Sequence, residues 1–127
     1  PLVYVQSNEK YFGILYRSQD LKFAAETALN KLGFSPTGKK DEAELFMYIE
    51  ANTAKGKTQA KQKMFTVFLD MSIQVKDKNE MIVYSEQLNK LKGIQLSFEQ
   101  ANRAAYEKAQ EELNKSIIPS FVNSFIQ

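Results

Sequence analysis

Alternating apolar and polar residues predict two long strands in the middle of the chain. From Ala43 to Ala51 every second residue is apolar, and from Met64 to Val75 the alternation is longer still. The polar stretch Lys76–Glu80 predicts a tight turn, and Met81–Leu91 is expected to return as an antiparallel strand. Gly93 is expected to end that strand or to mark a bulge in it.

The N-terminal part of the chain predicts one further strand and a weaker second one. Leu2–Val5 and Tyr11–Arg17 are rich in β-branched and aromatic residues, which favour strands. Gln6–Lys10, between them, is a polar stretch of turn formers and is expected to be a turn. Gly13 weakens the prediction of the second strand.

Apolar residues at spacings of three and four predict two helices. The first is expected to start at Ser18, which can cap its first turn, and to end near Leu32. The second is expected to start at Ser97, which opens a capping box. Pro119 should stop or kink this helix, and residues 120–127 should add two helical turns that dock against the body of the domain.

The predicted fold class is α+β with two layers. An antiparallel or mixed sheet of four to five strands with two helices packed on one face would bury every apolar stripe, in the order β-(β)-α-β-β-β-α. Residues 1–127 fit one domain, which we expect to be excised from a larger envelope protein or to be its mature part.

The composition excludes most catalytic chemistry. The chain has 127 residues and contains no His, Cys or Trp. Without imidazole or thiol groups it can form no Ser-His-Asp triad, no thiolate nucleophile and no zinc or iron–sulfur site. We therefore expect a protein that is not an enzyme and that uses no cofactor or metal. No targeting segment can be recognised, and no apolar stretch is long enough to cross a membrane.

Four lysines form a local basic segment in a chain whose net charge is only +2. Lys55, Lys57, Lys61 and Lys63 lie within nine residues that contain no acid. One interpretation is a solvated loop between two strands, and the other is a site for a nucleic acid or another anionic surface. The segment contains no aromatic residue that could stack on bases, so a nucleic acid is the weaker possibility.

Six aromatic residues are more than the two faces of a small sheet need: Tyr4, Tyr11, Phe12, Tyr16, Phe46 and Tyr48. Phe46 and Tyr48 alternate with Glu44 and Glu50 on the second face of the predicted strand 43–51. These aromatic side chains either pack in a core beneath the C-terminal tail or form a contact surface for another protein.

The order of elements and several short segments resemble a known group of domains. The segments are Ala28–Phe34, Glu42–Leu45, Val75–Asp77, Val83–Ser85 and Ala101–Ala109 with Tyr106. They are similar to the small α/β domains of bacterial envelope accessory proteins, the group around CsgG, FlgT and related lipoproteins. The resemblance implies a non-catalytic scaffold or adaptor in the periplasm or at the outer membrane, although a cytoplasmic location stays open. Its partners would be other envelope proteins or a second copy of the chain.

Overall fold

The computed structural model describes residues 1–58, 61 and 63–126, and within them the chain forms one mixed sheet with helices on one side. Gln59, Ala60 and Gln62 of the lysine-rich segment and Gln127 of the tail lie outside the described residues. In chain order the elements are β1 (Leu2–Tyr11), β2 (Ile14–Leu15), α1 (Asp20–Lys31), β3 (Ser35–Pro36), β4 (Leu45–Lys55), β5 (Phe65–Asp77), β6 (Ile82–Gln95), α2 (Phe98–Glu112) and α3 (Ile118–Ile126).

The predicted two-layer α+β class is confirmed. The strands follow the order β2-β1-β4-β5-β6, and β3 also pairs with β1. β1 and β4 are parallel and are joined through α1, whereas β4, β5 and β6 form an antiparallel meander. The sheet has six strands because two short strands, β2 and β3, each of two residues, pair with the two ends of β1.

The apolar stripes of the strands and helices meet in one core. Val3, Met47 and Leu69 represent the strand side, and Leu29 and Phe121 represent the helix side; all five are fully buried or nearly so. The alternation predicted for the middle strands is confirmed, because the alternating buried residues face the helices: Leu45, Met47, Ile49 and Ala51 in β4, and Val67, Leu69, Met71, Ile73 and Val75 in β5.

Gly93 neither ends β6 nor forms its bulge, in contrast to the prediction. It lies opposite Val67 inside the β5–β6 ladder, and a Cβ atom placed on it would lie 2.0 Å from the carbonyl oxygen of Ala101. Helix α2 therefore rests directly on β6 at this point. One irregularity of β6 is instead at Asn89 and Lys90, where the backbone N–H of Lys90 donates to the carboxylate of Asp70.

The prediction of a turn at Gln6–Lys10 is wrong, because β1 continues to Tyr11. Two polar side chains in this stretch, Ser7 and Glu9, point into the helix layer and are buried. The Ser7 hydroxyl donates to the Glu9 carboxylate over 2.6 Å. That carboxylate also accepts the backbone N–H groups of Leu21 and Lys22 at 3.0 and 3.4 Å. Glu9 can lie buried in a strand because the start of α1 supplies its hydrogen-bond partners, and Ser7 can do so because it donates to Glu9. The residues next to them in sequence do not reveal these partners.

The same contacts correct the predicted start of α1. Ser18 does not cap the helix; its hydroxyl donates to Asp20, and the residue at the cap position is Gln19, whose side chain makes no capping bond. Glu9 of β1 takes that function, and its negative charge lies at the positive end of the helix dipole. The predicted end is confirmed, since Gly33 follows α1 with a φ of +89°.

The C-terminal helical segment does not stop at Pro119, in contrast to one of the two predicted outcomes. Residues Leu113–Ile117 form a π-helical turn between α2 and α3, in which the N–H of Ile118 donates to the carbonyl of Leu113. Pro119 is then the second residue of α3, where its missing N–H is tolerated. As predicted, the tail docks: Phe121 and Val122 are buried, and the Phe121 ring packs edge-on against Phe34.

Candidate functional site

One face of the sheet is not covered by any element of the part of the chain that the structure describes. The helices pack against the face that carries Met47, Leu69 and the other buried strand residues. On the opposite face the register aligns Tyr4, Phe46, Lys76 and Ile82 in one row across four strands. We call this side of the sheet the open face.

The open face holds three of the six aromatic residues that the sequence pointed to, Tyr4, Phe46 and Tyr48. Phe46 and Tyr48 are half-buried there, and the ammonium of Lys76 lies 5.9 Å from the Tyr48 ring centre. The tail does not cover them, since α3 packs on the helix side against Phe34 and Tyr84. The interpretation of a core beneath the tail is therefore wrong for these two rings.

Beside Phe46 and Tyr48 the open face is polar. The Asn8 amide donates to Glu50 over 2.9 Å, and a shallow groove of about 470 Å³ runs along Tyr48, Glu50 and Ser72. Phe68 is also half-buried on this face, and the sequence reading missed it because its neighbours on the same face are polar. The surface thus combines flat rings with hydrogen-bonding groups.

The four lysines do not form one cluster with the aromatic residues. Lys55 ends β4 on the helix side, and its ammonium lies 5.2 Å from the Phe12 ring centre and 4.8 Å from that of Phe98. Nine residues separate Phe46 from Lys55 along the strand, which corresponds to roughly 30 Å.

The other three lysines lie in the connection from β4 to β5. Lys57, Lys61 and Lys63 are all exposed. They make no ion pair with any described residue. The basic segment and the open-face residues Phe46 and Tyr48 therefore belong to two separate surfaces.

A third feature, the β1–β2 hairpin, carries three other aromatic residues that the sequence pointed to, Tyr11, Phe12 and Tyr16, together with Ile14 and Leu15, which were not predicted as part of a surface. Tyr11 and Ile14 pair across a two-residue turn, Phe12–Gly13, in which both residues have positive φ. The turn is fixed to the end of β4, because the N–H of Phe12 donates to Thr53 over 2.9 Å. The only local signal in the sequence is a glycine between two apolar pairs.

Three tyrosines pack together beside this hairpin, Tyr11, Tyr16 and Tyr106. The rings of Tyr11 and Tyr16 stack with their centres 3.9 Å apart. The Tyr106 hydroxyl donates to the carbonyl of Lys10 over 2.6 Å. Burial raises the pKa of Tyr11 to about 12, and burial likewise raises the pKa of Tyr106. These phenols therefore stay protonated at neutral pH.

Three of the buried polar side chains, Ser7, Glu9 and Thr53, have structural partners. Glu9 is hydrogen-bonded to Ser7 and to the start of α1, and Thr53 accepts a bond from the hairpin. The amide of Asn102 is buried and finds no partner among the described residues. Within residues 1–58, 61 and 63–126, no group of three acidic side chains is placed to hold a metal ion.

The comparisons with known proteins identify a fold and no sequence family. No protein-family model matches the chain, and no curated protein matches it. Among the helices that the structure describes, none is long and apolar enough to pass through a bilayer.

Solved structures of bacterial proteins are similar over almost the whole chain. A candidate lipoprotein of Caulobacter crescentus is 14% identical with a TM-score of 0.61, and the match covers 96% of this chain and 90% of that one. A minor lipoprotein of Acinetobacter baumannii is 10% identical with a TM-score of 0.58, covering 98% and 91%. A candidate homologue of the neuraminyllactose-binding hemagglutinin, from Helicobacter pylori, is 13% identical with a TM-score of 0.55, covering 96% and 87%.

The fold and the open face together define a class of protein: a two-layer α+β domain with helices on one side of its sheet and a mixed aromatic and polar surface on the other. The chain shares this fold with bacterial lipoproteins. At identities of 10–14% the likeness is one of fold.

Proposed function

We propose that this protein is a non-catalytic interaction or scaffold domain of the bacterial envelope that contacts a partner protein through its open face. The observation that carries the proposal is the aromatic pair Phe46 and Tyr48 on a sheet face that no described element covers. The partner is another envelope protein or a second copy of the chain. The fold shared with bacterial lipoproteins supports a place in the periplasm or at the outer membrane. An accessory role like that of the CsgG and FlgT group rests on the sequence resemblance.

The composition of the open face suits a protein contact. Aromatic residues are enriched in the centres of protein interfaces, where their flat rings bury a large area at a small cost in conformational entropy. Here the rings lie next to Lys76 and the Asn8–Glu50 pair, which can supply the polar rim.

The test compares two surfaces that carry the same residue type. The double variant Phe46→Ser with Tyr48→Ser changes the open face, whereas Phe23→Ser changes an exposed ring on α1 in the opposite layer. The full-length protein should be located in the envelope fraction and should recover an envelope protein after cross-linking. The double variant should lose that partner and the Phe23→Ser variant should keep it.

Sedimentation equilibrium separates the two kinds of partner. If the chain forms a dimer that the open-face variant abolishes, the partner is a second copy. The proposal is wrong if the full-length protein is cytosolic and recovers no envelope protein, or if the open-face variant binds its partner as tightly as the parent.

A second candidate function is the binding of an anionic surface or a nucleic acid by the segment Lys55–Lys63. The exposure of Lys57, Lys61 and Lys63 favours it, whereas Lys55 is already engaged by two rings. Binding to heparin or DNA should weaken steeply with salt, because each phosphate contact releases counterions. Changing the three exposed lysines to Gln should abolish it, and Lys55→Gln should have a smaller effect. Unchanged affinity and salt dependence in the triple variant would remove this candidate.

A further inference from the structure

We propose that the end of the domain formed by the β1–β2 hairpin and the β4–β5 connection docks onto an anionic lipid bilayer. This inference rests on the second candidate function, the binding of anions by the loop lysines, and gives that function one specific ligand. It is independent of the open-face contact, because Phe46 and Tyr48 lie near the opposite end of the sheet.

The first observation is a run of exposed apolar residues on the hairpin. Ile14 is 74% exposed, Leu15 is 63% exposed and Tyr16 is 45% exposed. Exposed apolar side chains in isolation are normal, but three in sequence on one projecting hairpin form a patch that water solvates poorly. Such a patch is typical of a surface that is covered when the protein functions.

The second observation is that the patch is held rigidly beside the basic segment. Besides the bond from Phe12 to Thr53, the N–H of Gly13 donates to the amide oxygen of Asn52 over 2.9 Å. The two acceptors, Thr53 and Asn52, lie near the C-terminal end of β4, two and three residues before Lys55. The hairpin and the start of the lysine-rich connection therefore lie at the same end of the sheet.

The third observation is the charge of these two segments. Residues 10–17 contain two basic residues and residues 55–63 contain four, and neither segment contains an acid. Two acids, Asp20 and Glu99, line the groove beside the hairpin. Arg103 lies 3.3 Å from Glu99 and offsets its charge, whereas Asp20 accepts only from the neutral Ser18 hydroxyl. The six basic residues of the two segments outnumber these acids. The end of the domain is thus apolar and positively charged.

These properties distinguish a bilayer from other polyanions. A nucleic acid offers phosphates to the lysines but has no apolar phase for Ile14 and Leu15. An anionic bilayer offers both, because apolar side chains enter the boundary of headgroups and acyl chains while lysines and arginines stay among the headgroups. Tyr16 is suited to the same boundary, with an apolar ring and a polar hydroxyl.

The test uses the 127-residue chain without any lipid attachment and measures co-sedimentation with vesicles. The chain should bind phosphatidylcholine vesicles that contain phosphatidylglycerol, bind pure phosphatidylcholine weakly, and lose affinity as salt is added. Changing Lys57, Lys61 and Lys63 together to Gln should weaken binding about a hundredfold, from about fivefold for each lysine. The double variant Ile14→Ser with Leu15→Ser should weaken it at least about tenfold.

A matched control and a reporter make the result specific. Met81→Ser removes an apolar side chain that is 64% exposed at the opposite end of the sheet, and it should leave vesicle binding unchanged. The chain has no tryptophan, so Ile14→Trp introduces a single reporter. Its emission should shift to the blue on anionic vesicles and should be quenched by brominated lipid acyl chains, which also establishes insertion without relying on a loss-of-function variant.

The outcomes separate the lipid proposal from the function on which it rests. Lysine-dependent binding to heparin or DNA without binding to anionic vesicles would support the second candidate function and would overturn the bilayer proposal. Vesicle binding that Ile14→Ser with Leu15→Ser leaves unchanged, in a variant whose thermal unfolding matches the parent's, would also overturn it. Binding that both sets of variants weaken, with quenching of the Ile14→Trp reporter, supports the bilayer proposal.

Discussion

The contact between α2 and β6 at Gly93 gives the sharpest prediction about stability. A Cβ atom on Gly93 would lie 2.0 Å from the carbonyl oxygen of Ala101 and 2.7 Å from the backbone nitrogen of Ala105. Carbon and oxygen atoms normally approach to about 3.3 Å, so helix and strand would have to separate by about 1.3 Å. The obstacle is helix backbone, which cannot turn aside as a side chain can.

The expected cost of Gly93→Ala is at least about 3 kcal/mol. Adding a carbon to a well-packed core usually costs about 1–3 kcal/mol, and here α2 is also fixed by Ala101, Ala105 and Ala109, which have no exposed surface. The new alanine stabilises the protein by only about 0.4–1 kcal/mol through the unfolded chain. Because the free energy of unfolding of a small domain is only about 5–15 kcal/mol, a loss of this size should be measurable in an unfolding curve.

The measurement is urea unfolding followed by circular dichroism and tyrosine fluorescence, with the free energy obtained by linear extrapolation. Gly38→Ala is the matched control, because a Cβ atom on Gly38 meets nothing within 4 Å. That control should keep its stability or gain up to about 1 kcal/mol. The reasoning is refuted if Gly93→Ala lies within about 1 kcal/mol of the parent at an unchanged denaturant slope.

Three further predictions concern the buried polar groups. Glu9→Ala should cost about 2 kcal/mol in urea unfolding, because it removes the charged acceptor at the start of α1; a loss below about 0.5 kcal/mol would mean that water caps the helix equally well. Asn102→Leu should stabilise the protein by about 1 kcal/mol, since it replaces an unpartnered buried amide by an apolar group of similar volume, and a clear loss of stability would reveal a partner for that amide. Tyr11 has its pKa raised from 10.0 to about 12 in the folded state, so above pH 10 the unfolded chain releases protons first and stability should fall as pH rises. Tyr11→Phe should reduce that fall between pH 10 and 12, and an equal slope in both proteins would contradict the assignment.

The candidate surfaces could be predicted in part. The alternation in residues 43–51 placed Phe46 and Tyr48 on one face of a strand, and the structure confirms that face. It could not show whether a helix covered the face, because this depends on the side to which α1 and the tail cross. Phe68 was missed because its neighbours on the same face are polar, and Lys76 because it was expected to begin the turn Lys76–Glu80, whereas β5 continues to Asp77.

The lysine-rich segment was predicted as a unit, and the structure divides it. Lys55 is the last residue of β4, and the alternation of the strand directs it to the rings of Phe12 and Phe98. These rings come from a hairpin and from a helix start that lie 43 residues away on either side. No window of sequence around Lys55 contains either of them. The hairpin patch was missed because Ile14 and Leu15 are typical strand residues, and only their position at the sheet edge exposes them.

Periodicity was sufficient for the class of fold, because burial of one face forces a repeat of two on strands and of three to four on helices. That repeat lies in neighbouring residues, so β4, β5, both main helices and the two-layer architecture follow from it, whereas the second half of β1 does not. Contacts between residues that belong to different elements produce no such pattern in the neighbouring sequence. The capping of α1 by Glu9, the close approach of α2 to Gly93 and the choice of which sheet face stays open arise only when the layers come together, and they determine where this domain can bind.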